Sequence, residues 1–171
     1  SSIEKPVLTN PPLSRYVNLM FVNQLGVILG TTKTLLEMIE ARIATKMTPD
    51  RTPLNKEYRF RVGIPHAWGL YQAASAYVYD VAGKCDALLF ADKPLPPELL
   101  ARTSTMSVIA PELCRKAVDN ALDLLGSDHI FRSTGIDKLY ADLRVASTHI
   151  IHRMEALQRA ATWREQASAA A

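Results

Sequence analysis

Apolar residues recur at steps of three and four along most of this chain, the spacing that places them on one face of an α-helix. The longest stripe joins Val17, Phe21, Leu25, Ile28, Leu29, Thr32, Leu35, Leu36 and Ile39, and predicts a first helix from about Arg15 to Lys46. Gly26 and Gly30 share a face of it, a spacing that permits close approach of another backbone. The segment MTPDRTPLN (47–55), with two prolines and an aspartate, predicts a loop. A second helix is predicted from about Lys56 to Phe90, with a kink or short break near Gly63 and Pro65. Beyond that point Tyr71, Ala74, Val78, Val81, Cys85 and Leu88 form a regular buried seam.

The connector DKPLPPE leads to a third helix, predicted from Pro97 to Leu125, with Pro97 in the first turn, where its missing N–H costs nothing. Pro111 falls inside it, but the apolar period continues on both sides, so a kink is expected rather than an end. Gly126 stands where a left-handed C-cap belongs. After a polar crossover, Ile136, Leu139, Tyr140, Leu143, Ala146, Ile150, Met154, Leu157 and Ala161 predict one long fourth helix reaching about Gln166. No strand-like alternation and no internal repeat interrupts the pattern. The expected fold is all-α: an antiparallel four-helix bundle with long helices, kinked near Pro65 and Pro111. Residues 1–14, with Pro6, Pro11 and Pro12, read as an extended segment, and residues 15–168 as a single domain.

Composition adds little beyond a globular reading. Hydrophobic residues make up 48% of the 171 and charged residues 22%, ordinary usage for a folded domain. The net charge of +3 comes from basic and acidic residues interspersed along the chain, with no clustered Lys/Arg face and no recognition motif, which argues against nucleic acid as a partner. No run approaches the length of a membrane span and no signal-like N-terminus is visible, so a cytoplasmic protein with no membrane association is expected. Cys85 and Cys114 lie in apolar helical sequence and read as buried free thiols.

Candidate chemistry is concentrated in the last third. A carboxylate-bridged metal site in a bundle needs Glu-x-x-His pairs on facing helices, and the chain has none; His149, His152 and Glu155 have no matching cluster, so no metal is expected. Phosphate-binding glycine loops and nucleophile motifs are also absent. On a continuous fourth helix Asp142 and His149, seven apart, fall near one side, with Lys138 and His152 beside them, as a polar stripe turned away from the buried face.

The run from Gly126 to His152, GSDHIFRSTGIDKLYADLRVASTHIIH, resembles the C-terminal helical domain of the acyl-CoA dehydrogenase superfamily. In that family this region reads approximately Gly-Gly-x-Gly-Tyr, several residues, then Pro-x-Glu-Arg-x-x-Arg-Asp. Without gaps, Gly126 and Ser127 fall on the glycine pair, His129 on the third glycine, Ile130 on the aromatic and Gly135 on the proline. Asp137 and Lys138 fall on Glu-Arg, and Ala141 and Asp142 on Arg-Asp, so His129 and Ala141 depart from the pattern. The stretches LGVILGTTKTLLEMIEAR and RVGIPHAWGLYQAASAYVYDVA look like the family's first two C-terminal-domain helices.

The resemblance implies a flavoprotein oxidoreductase whose flavin, FAD or FMN, sits partly against this domain in the complete protein, with little cofactor binding or activity in this chain alone. Many dehydrogenases place a catalytic Glu shortly after Arg-Asp, because a carboxylate must take the proton alpha to the thioester. Val145 to His152 contains no carboxylate, and an Ala-Ser-x-His ending is similar to the flavin-dependent monooxygenase branch, whose last helix carries such a His. The resemblance therefore implies His149 as the catalytic group with Asp142 holding its geometry, and Gly126, Ser127 and Arg132 near the cofactor. It also implies partners: further copies in a homo-oligomer, or the flavoprotein domains that precede this one in the family. The competing reading is a non-catalytic bundle acting as an oligomerisation or partner-binding module.

Overall fold

The computed structural model describes residues 22–125, 135–149 and 152–169. Over these residues the chain is an all-α bundle: α1 (Val22–Thr45), α2 (Tyr58–Phe90), α3 (Pro97–Leu125), α4 (Ile136–Ser147) and α5 (Glu155–Ala169), with a short 3-10 turn at Leu54–Lys56 before α2. No β-strand occurs among the described residues; Met47 and Pro53 form one isolated bridge that closes the first loop. The predicted extended segment at residues 1–14 lies outside the described part.

The chain divides into two compact units. The described residues of one fall within Val27–Ala74 and Glu112–Ser147, and those of the other within 22–26, Ser75–Pro111 and 148–169. In the first unit Ile28, Leu35, Leu36, Ile39 and Ile43 of α1 are buried with Phe60, Ala67 and Ala74 of α2, Cys114, Ala117, Val118 and Ala121 of α3, and Ile136 and Leu143 of α4. Polar ties hold the same helices at their rims: Trp68 Nε1–H donates to Glu40 Oε2 at 3.0 Å, and Tyr140 O–H donates to Asp119 Oδ1 at 2.7 Å. The loop after α1 is set by Thr48 and Thr52, whose main chains bond at 2.8 Å while the Thr48 hydroxyl accepts the Thr52 N–H at 2.9 Å. Arg51 takes a left-handed conformation (φ 64°) within it.

In the second unit Val78, Val81, Cys85 and Leu89 of α2 are buried with Leu99, Leu100, Met106 and Val108 of α3 and Ala156 and Ala160 of α5. Here α2 ends in a left-handed Asp92 (φ 54°), with Lys93 N–H returning to the Leu88 carbonyl at 2.8 Å and Asp92 N–H to Leu89 at 3.1 Å. This closes the helix as a glycine C-cap would. Pro97 opens α3, as its position in the sequence predicts, and Glu98 places a carboxylate in the first turn, where the helix dipole favours it.

The two internal prolines do not divide their helices, since α2 runs unbroken through Pro65 and α3 through Pro111. Gly63 is explained by packing, because a Cβ there would lie 2.8 Å from Leu124 Cδ1. The single long fourth helix is corrected: it stops at Ser147 and a new helix begins at Glu155. Thr148, Ile150 and Ile151 put three β-branched residues in four positions, which weakens the helix there. Met154, expected on the buried face, is 63% exposed, and His152, expected on the outer polar stripe, is buried.

Candidate functional site

The interruption between α4 and α5 is where the candidate chemistry lies. Thr148 and His149 follow the last turn of α4, both exposed, and His149 presents its imidazole outside any helix. Three residues on, His152 N–H donates to the His149 carbonyl at 2.9 Å, a turn-type bond. The two rings meet edge to face, with centroids 6.4 Å apart and planes at 65°. His152 is 8% exposed, and its Nδ1 lies 2.6 Å from the Ser107 carbonyl on α3. A carbonyl can only accept, so Nδ1 carries the proton, and in the neutral ring Nε2 holds the lone pair. The turn has one imidazole outside and one inside.

Asp142, the expected partner of His149, is an exposed residue of α4. The shared helical face that would have aligned the two depends on a continuous helix, and α4 ends between them at Ser147. Asp142 and His149 also belong to different compact units. The three residues expected near a cofactor, Gly126, Ser127 and Arg132, lie outside the described residues, as does the predicted C-cap at Gly126.

The described residues close to that crossover do not form a flavin cradle by themselves. An open cavity of about 420 Å³ is lined by Lys46, Thr48, Asp50, Glu57, Arg59 and the end of α3 at Leu124 and Leu125. Its two cations are matched by two carboxylates, and Arg59 already has Glu57 at 3.4 Å and the Phe60 ring at 4.4 Å. Such a donor set gives no net attraction to a pyrophosphate. A larger open cavity, about 660 Å³, lies in the second unit between Tyr77, Arg102, Thr105, Arg164 and Ser168. There Asp80 accepts from both Lys84 and Arg102, which hold its carboxyl below the usual aspartate range. The hydroxyls of Tyr77, Thr105 and Ser168 already donate to main-chain carbonyls.

The cysteines sit far into the packing. Burial pushes the Cys85 thiol up to about 11. It pushes Cys114 to about 11 as well, against a smaller downward pull from the Thr32 hydroxyl. Neither is a nucleophile at neutral pH. No group of three or more His, Cys, Asp or Glu able to hold a metal occurs among the described residues, and no helix among them is long and apolar enough to cross a membrane.

The fold and site thus define an all-α domain with an exposed histidine, His149, just after the fourth described helix. The family model for the acyl-CoA dehydrogenase C-terminal domain matches residues 23–154, more than half of the sequence and including that histidine, and the chain belongs to this family. Among solved structures it is similar to XiaF from Streptomyces sp., determined in complex with FADH2 and glycerol, with a TM-score of 0.81 at 19% identity. The superposition covers 97% of this chain and 42% of XiaF, so this chain spans less than half the length of that structure. No curated protein matches the sequence. The sequence missed the α4–α5 interruption and the burial of His152; the signal that was available is the β-branched cluster at Thr148, Ile150 and Ile151.

Proposed function

We propose that this chain is the C-terminal helical part of a flavin-dependent oxidoreductase of acyl-CoA dehydrogenase type, and that it serves an oxygen-transferring member rather than a dehydrogenase. The observation that carries this reading is the break between α4 and α5: it exposes His149 on a turn, and no carboxylate occurs between Ser147 and Glu155. A dehydrogenase needs a base strong and close enough to take a proton alpha to a thioester. An imidazole suits a different task, giving or taking a proton at a reduced flavin that reacts with oxygen. The flavin, FAD or FMN, supplies that redox chemistry when bound in the complete protein. This part would contribute His149 and, through the crossover after Leu125, Gly126, Ser127 and Arg132. Asp142, on the surface of α4, would hold the geometry of that histidine.

The same reading assigns the exposed faces of the helices to packing against the other flavoprotein domains or further copies in a homo-oligomer. Sedimentation of the complete protein should give an assembly larger than one chain.

The decisive experiment uses the complete flavoprotein. His149→Ala should lower oxygen-dependent product formation by roughly 10²- to 10⁴-fold, the usual contribution of a positioned acid or base, with bound flavin unchanged. Turnover within twofold of the unaltered enzyme, or bleaching of the oxidised flavin by an acyl-CoA, overturns the assignment.

A further inference from the structure

The Ser107 carbonyl, near the middle of α3, would ordinarily accept from the N–H four residues later. That residue is Pro111, which has no N–H to give. Pro111 is buried, and Ser107 is half-buried between Met106 and Val108, each 2% exposed. A carbonyl orphaned here costs free energy unless another donor reaches it. His152 Nδ1 reaches it at 2.6 Å, from the turn before α5.

We infer that Pro111 and His152 form a two-part clamp that positions His149: the proline frees a carbonyl on α3, and the buried imidazole takes it, fixing the turn on which His149 is displayed. The coupling to His149 runs through the main chain and the ring. His152 N–H bonds the His149 carbonyl at 2.9 Å, and the two imidazoles lie edge to face at 6.4 Å. With His152 anchored at Nδ1, neither end of that short turn rotates freely, so the exposed ring has a defined place although it belongs to no helix. His152 is a positioning residue, and its role in catalysis rests on the role proposed above for His149. The clamp itself is independent of any flavin.

The test is a set of measurements on this chain with ring-15N histidine. In the unaltered protein, long-range proton–nitrogen spectra should show His152 protonated at Nδ1; a bare Nδ1 on His152 overturns the clamp. Asparagine places an amide nitrogen at the same bond distance from Cα as Nδ1, whereas leucine fills similar space with no donor. His152→Leu should speed hydrogen exchange at the residue 152 amide by roughly five- to tenfold, the size of one lost hydrogen bond, and shift the ring signals of His149. His152→Asn should restore both. Unchanged exchange and unchanged His149 signals in His152→Leu overturn the proposal, as does a failure of asparagine to do better than leucine. In the complete flavoprotein, turnover should fall in His152→Leu and return in His152→Asn at constant flavin content. If His149→Ala leaves turnover intact while His152→Leu still loosens the turn, the clamp stands and the catalytic reading of His149 falls.

Discussion

Leu124 occupies the space where a side chain at Gly63 would begin: its Cδ1 lies 2.8 Å from an ideal Cβ at that glycine. The contact joins the first turns of α2 to the last turn of α3 within one compact unit, and it explains a glycine in the middle of a helix, where glycine otherwise costs about 0.5–1 kcal/mol relative to alanine. Gly83, further along α2, has nothing within 4 Å of the same position. Gly83→Ala should therefore raise stability by about 0.5–1 kcal/mol. Gly63→Ala should lose most or all of that gain, because Leu124 must move to admit the methyl group. Urea denaturation of the two variants side by side checks the difference.

A double-mutant cycle separates the Pro111–His152 relationship from simple packing. His152→Leu removes the imidazole donor from the half-buried Ser107 carbonyl and should cost about 0.5–1.5 kcal/mol through that bond. Pro111→Ala returns an N–H to the helix at the position that carbonyl ordinarily uses. In the Pro111→Ala background the penalty for His152→Leu should shrink by about 0.5 kcal/mol or more, since loss of imidazole packing is common to both arms and cancels. Additive denaturation energies would show that the proline and the histidine do not share the carbonyl.

Alkaline stability follows from Cys85 and Cys114. Burial raises both thiols to about 11 from an unfolded value near 9, so the folded state retains protons that the unfolded state releases between those values. The stability they confer is complete below about pH 9 and is lost as pH rises toward 11. Replacing Cys114, 0% exposed, by alanine should flatten that decline in a pH series of denaturation curves. In the unaltered native protein, iodoacetamide at pH 8 should label both thiols far more slowly than in denaturant.

Asp80 has the opposite sign. Lys84 at 2.8 Å and Arg102 at 2.5 Å bind its carboxylate, and both hold its proton affinity down. The group is at the surface, so its effect is small and screened by salt. Its contribution is present above the unfolded aspartate value and fades as pH falls through the lower folded one. A carboxyl titration by NMR should find the Asp80 midpoint below that of an ordinary aspartate, and Arg102→Ala should move it upward.

How much of this was legible in advance varies with the kind of signal. The ends of α3 at Pro97 and Leu125, the core stripe from Leu25 to Ile39 and the burial of both cysteines are readable in the sequence, because each depends on local spacing or on a residue with strong intrinsic preferences. Gly63 and Pro65 read as a kink or a short break, and of the two the break does not occur: a glycine set against Leu124 and an exposed proline both leave α2 continuous. The Ala-Ser-x-His ending singles out His149 as a candidate, but the continuous helix expected to carry it stops two residues earlier.

The sequence by itself determined the helical class, most helix limits and the family, since periodicity and motif are carried by residues close together in the chain. Only the tertiary structure decided that the last helix breaks between Ser147 and Glu155, that His152 turns inward and that His149 stays out. The physical reason is a bond 45 residues long in sequence: Pro111 withholds a donor from the Ser107 carbonyl, and His152 supplies one. Neither residue signals the other until the chain has folded.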